Sequence, residues 1–143
     1  HNANRALVEG KRIVLIDDSI VRGTTSMKIV QMMRDAGAAE VHMRVASPPT
    51  SHSCVYGVDT PERHKLLAAR MDVEEMTRFI VADSLAFVSI DGLYRAVSNG
   101  ERKNACPQHC DACFTGDYPT RLTDLAEREA DAGQLSLPVG KVA

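Results

Sequence analysis

The apolar positions of this chain come in two rhythms, short unbroken runs and wider helical stripes. Residues 11–17 hold four consecutive apolar side chains, Ile13 to Ile16, closed by acidic residues. A run that short, ended by carboxylates, predicts a buried parallel strand. Across 24–36 the period changes. Ile29, Met32, Met33 and Ala36 follow the i, i+3, i+4, i+7 spacing of one helix face, and Gly37 stands where a left-handed C-terminal cap belongs. Over 40–46 Val41, Met43 and Val45 alternate onto one face, which predicts a second strand. Strand, turn, helix and strand make a βαβ unit with an expected right-handed crossover.

Beyond it the pattern loosens. Pro48, Pro49, Gly57 and Pro61 mark 47–61 as loop, and Pro61 suits the first turn of a helix running to about Arg70. Asp72, followed three residues later by Glu75, predicts a capping box at the start of a helix reaching about Val81. A third strand is expected over 85–90 and a short helix over 92–97, with Asp91 just before it. A polar, cysteine-bearing loop follows over 99–118, then a charged helix over 120–132 ended by Gly133, and a loose tail. The fold class is therefore α/β, a parallel sheet with flanking helices plus a cysteine-bearing C-terminal segment.

Composition narrows the functional classes. The 143 residues suit one domain, with 44% hydrophobic and 25% charged residues and a net charge of −2. Seventeen basic against nineteen acidic residues leave no electrostatic footprint for nucleic acid or an anionic membrane. No apolar run approaches the length of a bilayer span. The polar start does not read as a signal peptide, and a first residue of His1 rather than Met reads as a fragment or a processed product. The four cysteines are Cys54, Cys106, Cys110 and Cys113, three of them within eight residues. Without a secretory signal this clustering points to metal binding rather than a disulfide framework, and to a cytoplasmic protein.

The sharpest chemistry lies in 14–25, Val-Leu-Ile-Asp-Asp-Ser-Ile-Val-Arg-Gly-Thr-Thr. An apolar strand ends in two carboxylates, then comes a turn with glycine and hydroxyls, then a helix. Ligands of open α/β sheets bind at such carboxyl ends of strands. Turn amides and a helix N-terminus favour an anion, with Thr24 and Thr25 adding hydroxyl donors. Gly23 is expected to adopt a conformation, or an approach to phosphate, that a Cβ would disturb, so that Gly23→Val would abolish binding while leaving the fold. Asp17 and Asp18 would repel phosphate unless they face something else, and sugar hydroxyls and Mg²⁺ are their natural partners. The bland reading is a strand end and a helix cap with no ligand.

This run resembles the phosphoribosyl-pyrophosphate (PRPP) loop of type I phosphoribosyltransferases. The resemblance implies that Asp17 and Asp18 hold the ribose hydroxyls and Mg²⁺. It also implies that Ser19, Ile20, Val21, Arg22, Gly23, Thr24 and Thr25 wrap the 5-phosphate. It continues over most of the chain, through Ser47-Pro48-Pro49, the block Cys54 to Asp59, Ala82-Asp83-Ser84-Leu85, and the block Cys110 to Pro119. In these blocks the chain is similar to the amidophosphoribosyltransferase family. Such enzymes displace pyrophosphate from PRPP with ammonia, which a separate glutaminase domain makes from glutamine. They open the de novo purine pathway, with purine nucleotides as feedback inhibitors and oligomers as the working form.

On this reading 1–98 is the C-terminal portion of the transferase domain and 99–143 the cysteine-bearing loop, helix and tail. The glutaminase domain and the pyrophosphate loop are expected to be absent. No catalytic residue is assigned to this chain, which alone is expected to be inactive. The alternative is a PRPP-sensing regulator with the same fold, which would ordinarily need a basic surface and no cysteine block.

Thiolates three positions apart can ligate one metal centre. The resemblance implies that Cys54, Cys110 and Cys113 hold a four-iron four-sulfur cluster whose fourth ligand lies outside this chain. Cys106 is either spare or able to complete the site. A closed zinc site, a radical-SAM-like reading of the 106–113 spacing, and four unligated thiols remain open. His42 and His64 read as packed or surface residues, and His52 and His109 as solvated loop residues that could substitute as ligands. Tyr56 and Tyr118, beside the cysteine blocks, are expected to shield such a centre from water.

Overall fold

The computed structural model describes residues 3–98, 100–103 and 107–122. A single helical turn, α1 (Arg5–Val8), capped by the Asn4 side chain, precedes β1 (Arg12–Asp17). Then come α2 (Thr24–Asp35), β2 (Glu40–Val45), α3 (Val73–Phe79), β3 (Ser84–Phe87), α4 (Ile90–Ser98) and the short α5 (Ala112–Thr115). The three strands form a parallel sheet in the order β1-β2-β3, with Ile13 opposite Val41 and Met43 opposite Leu85. The α/β class and the βαβ unit thus stand as the periodicity predicts.

Val41, Met43 and Val45 are all buried, and Met43 and Val45 meet Ile20, Leu67, Met76, Ile80 and Leu85 in the core. The α2 stripe is wider than its apolar spacing indicates. Ser26 and Val30 are its buried residues, Ile29, Met32 and Met33 are half-buried, and Ala36, the C-cap, is buried as well. Gly37 has φ of +92°, as its capping position demands. Asp72 and Glu75 close the expected capping box, with Asp72 Oδ1 accepting from the Glu75 amide at 2.8 Å.

Four expectations need correction. First, β1 is an edge strand buried on one side only. Leu15 packs against the core, but Val14 and Ile16 are 60% and 80% exposed because no described element covers their face. Second, 61–70 is not an α-helix but two 3₁₀ turns, Arg63–Lys65 and Leu67–Ala69, broken by an extended Leu66. The break has a cause: Leu66 and Leu67 are both fully buried, and the Leu67 amide donates to the Val21 carbonyl at 2.8 Å instead of closing a helical turn.

Third, β3 stops at Phe87 rather than Ile90. The Ser89 hydroxyl accepts from the Gly92 amide at 3.0 Å, so the next helix begins already at Ile90. Fourth, α5 interrupts the expected 99–118 loop. The helix expected over 120–132 falls almost wholly outside the described residues, as does Cys106.

Candidate functional site

The strand-to-helix turn after β1 builds the first half of the site. Asp17 ends β1, and its Oδ1 accepts from the Asp18 amide at 3.0 Å. The Ser19 hydroxyl donates to Asp18 Oδ1 at 3.3 Å. Ile20 then plunges into the core at 2% exposure, which anchors the turn from beneath. Gly23 takes φ of +76° and serves as N-cap of α2. It has no side chain to satisfy the first helical amides, so these remain available to an anion.

These residues line an open cavity of about 530 Å³ together with Ser26, Asp59 and Pro61. Asp17, Asp18, Ser19, Val21, Arg22, Gly23, Thr24 and Thr25 all border it, and Ile20 does not. The chemistry is divided. Carboxylates stand at the strand end, while amides and hydroxyls stand at the helix end, so the cavity offers acceptors for sugar hydroxyls or a hard cation and donors for a phosphate.

Gly23 carries a different constraint from the one expected. A Cβ placed there would lie 2.6 Å from Leu67 Cδ2 and 3.0 Å from the Phe79 ring. The missing side chain makes room for the core, so Gly23→Val would damage the fold itself rather than leave it intact.

A second cavity of about 560 Å³ adjoins the first, and Cys54, Cys110 and Cys113 all line it. Its walls include Tyr56, Phe114 and Tyr118, so the two tyrosines singled out from sequence do meet beside the cysteines. Their rings lie 6.4 Å apart. Tyr118 donates to the Ser53 carbonyl at 2.6 Å, and Tyr56 hydrogen-bonds Thr120 at 2.9 Å. The thiols come together through backbone links. The Cys113 carbonyl accepts from both the Ser51 and His52 amides at 3.0 Å, and the Thr60 hydroxyl accepts from the Cys54 amide at 2.6 Å.

The Tyr56 amide donates to Cys54 Sγ at 3.4 Å. Burial, with the nearby Cys110 and Cys54, pushes the Cys113 thiol up. Among the described residues no three His, Cys, Asp or Glu side chains converge tightly enough to hold a single metal ion.

The histidines divide. His42 is held between Ser84 and Glu40, each at 2.8 Å, on the far end of the sheet from the site. His64 is exposed beside Glu62. His52 packs against Gly116, and its pKa is lowered by burial and then by Arg63. His109 lies against the Tyr94 ring at 5.7 Å.

Asp59 is the residue that sequence reasoning passed over. It lies in a quoted block, Cys54 to Asp59, yet only the fold reveals that it borders both cavities along with Ser19 and Val21.

No family model matches the chain. Whole proteins do. The chain is 65% identical over 125 residues to the amidophosphoribosyltransferase of Rhizobium etli, a match covering 87% of this chain and 25% of that one. Against the Bacillus subtilis amidophosphoribosyltransferase the identity is 50% over 121 residues, covering 85% and 25%. Among solved structures it is similar to the B. subtilis glutamine PRPP amidotransferase complexed with ADP and GMP. There the TM-score is 0.76 at 51% identity, over 84% of this chain and 26% of that one. The chain thus spans about a quarter of the length of these relatives.

Proposed function

The chain is homologous to the amidophosphoribosyltransferases, of which it spans about a quarter, and we propose that it is the PRPP-binding part of such an enzyme. The observation that carries this reading is the divided cavity after β1, with two carboxylates at the strand end and the Gly23–Thr25 donors at the helix end. The whole reaction would join PRPP and glutamine-derived ammonia to give 5-phosphoribosylamine and pyrophosphate. The glutaminase domain would supply the ammonia, and the other half of the PRPP site would come from outside residues 1–143.

In this proposal Asp17 and Asp18 accept hydrogen bonds from the two ribose hydroxyls and so fix the sugar's orientation. The amides and hydroxyls of Ser19 through Thr25 donate to the 5-phosphate, helped by the positive end of α2. Ile20, clamped in the core, keeps the turn from moving with its ligand. The Asp17 and Asp18 oxygens also fit Mg²⁺, a hard cation that takes oxygen ligands and, when bound, compensates the charge of the leaving diphosphate. Holding the sugar and phosphate still converts binding into orientation of the reacting carbon.

Cys54, Cys110 and Cys113 would hold a four-iron four-sulfur cluster, with a fourth ligand from outside this chain or from Cys106. The cluster would act as a cross-link between the 50–60 loop and the 107–122 segment. Tyr56, Phe114 and Tyr118 would exclude water and oxygen from it. By the same kinship we propose a cytoplasmic homo-oligomer subject to purine-nucleotide feedback; the B. subtilis relative was solved with ADP and GMP. Among the described residues no helix is long and apolar enough to cross a membrane.

The test uses full-length enzyme supplied with ammonia, which bypasses the glutaminase. Asp17→Asn with Asp18→Asn should raise the PRPP KM and lower kcat together, since hydrogen bonds to charged groups are each worth roughly 1.5–3 kcal/mol. Unchanged ammonia-dependent kinetics in that double variant would remove the assignment.

A further inference from the structure

A buried polar cluster stands behind the cysteine cavity, outside both the PRPP pocket and the thiol set. Tyr94, on α4, is 2% exposed, and its hydroxyl lies 3.0 Å from both the His109 carbonyl and Asp111 Oδ2. Asp111 is the residue between Cys110 and Ala112, and its side chain is 5% exposed. Arg102, at 10%, donates through Nε to Asp111 Oδ2 at 2.5 Å and through Nη2 to Oδ1 at 3.2 Å. The Thr115 hydroxyl reaches Asp111 Oδ1 at 3.2 Å. The Asp111 main chain is fixed as well, its carbonyl accepting from the Phe114 and Thr115 amides at 2.9 and 3.1 Å.

We propose that Tyr94, Arg102 and Asp111 are positioning residues that set the Cys110 and Cys113 sulfurs against Cys54. The inference rests on the reading that these thiols hold an iron–sulfur cluster. Two anchors fix the turn. One is this clamp onto α4, and the other is the Cys113 carbonyl bound to the Ser51 and His52 amides, next to Cys54. Asp111 adjoins Cys110 and lies two residues from Cys113, so a shift of its backbone displaces both sulfurs.

Burying a carboxylate and a guanidinium in a short surface segment is costly unless hydrogen bonds are made in full, and a well-packed apolar plug would hold such a turn as firmly. What the polar clamp adds is direction. A bidentate guanidinium and a phenol fix the carboxylate from two sides, and a ligand set tolerates only about half an ångström of error. Groups that hold metal ligands in place are worth about 10- to 100-fold in metal affinity.

The experiment uses anaerobically prepared full-length enzyme carrying Asp111→Asn, Tyr94→Phe or Cys110→Ser. It measures iron and sulfide per chain, the visible absorption of the cluster, and its bleaching rate in air, with circular dichroism as the control for folding. Asp111→Asn should bleach about ten-fold faster and retain less iron, with unchanged circular dichroism and PRPP KM. Tyr94→Phe should move the same readouts in the same direction by less.

Wild-type iron content and bleaching in a folded Asp111→Asn variant would overturn the inference. If that variant does not fold, Tyr94→Phe decides: faster bleaching supports the clamp and wild-type bleaching overturns it. Cys110→Ser separates the two readings. Iron retained there removes the cluster assignment itself, and the clamp with it. Iron lost there but kept in Asp111→Asn removes the clamp alone.

Discussion

The two cavities share a wall at Ser19, Val21 and Asp59, yet their neighbouring regions are built in opposite ways. The 17–25 turn is local. Nine consecutive residues join a strand to a helix, and the shape follows from one positive-φ glycine and one buried isoleucine. The cysteine region is assembled from afar. Cys54 belongs to the loop after β2, Cys110 and Cys113 to a segment after α4, and they meet through bonds spanning more than fifty residues, such as Tyr118 to Ser53 and Ser51 to Phe114. A local turn can be kept by a short sequence motif. An assembled site depends on every anchor that holds its parts.

The comparison predicts that the local turn fails through the core. Gly23→Val combines a left-handed backbone with a Cβ 2.6 Å from Leu67, and should cost about 2–5 kcal/mol in urea unfolding of the full-length enzyme. Gly57 has φ of +104° but nothing within 4 Å of its missing Cβ, so Gly57→Ala should cost only about 1–2 kcal/mol. Equal losses at the two sites would show that packing beneath the turn is not what distinguishes them.

How far the sequence foretold each region follows from the same contrast. Asp17 to Thr25 could be read because strand end, glycine and helix start are adjacent, and neighbouring residues carry the signal. The capping box at Asp72 and Glu75 was legible for the same reason. The two 3₁₀ turns were not, because Leu66 becomes extended only to bring Leu67 under Val21, forty-six residues away in the chain. The bare face of β1 was hidden as well, since an apolar run does not say whether both faces are covered. Asp59 and the Tyr94–Asp111 clamp escaped because a lone acid or tyrosine has no local signature until the fold gives it neighbours.

Acid should reach the assembled region through its carboxylate. The Asp111 pKa is lowered first by its hydrogen bonds from Arg102, opposed by burial, and lowered further by Tyr94. A folded-state pKa below the unfolded one contributes stability above the ordinary aspartate range, and that contribution is lost as pH falls through the lowered value. Asp111→Asn should therefore flatten the acid limb of a stability-versus-pH profile below about pH 4. An unchanged acid limb would mean that the clamp does not hold the segment.

The smallest effect concerns a residue in neither region. Val81 has φ of +61° at the end of α3, where its carbonyl accepts from Arg34 at 2.8 and 3.0 Å. A β-branched residue is strained there, so Val81→Gly should stabilise the fold by up to about 1 kcal/mol in the same urea assay, leaving both cavities untouched. Destabilisation would show that the Val81 side chain contributes more than its backbone strain costs.

The central claim is that the carboxylate end of β1 holds PRPP. Calorimetric titration of PRPP with Mg²⁺ into full-length enzyme, wild type against Asp17→Asn with Asp18→Asn, tests it most directly. The account predicts affinity at least about ten-fold weaker in the double variant, as expected for lost charged hydrogen bonds, with the glutaminase activity of the same sample intact. Equal affinity in the two proteins would contradict it.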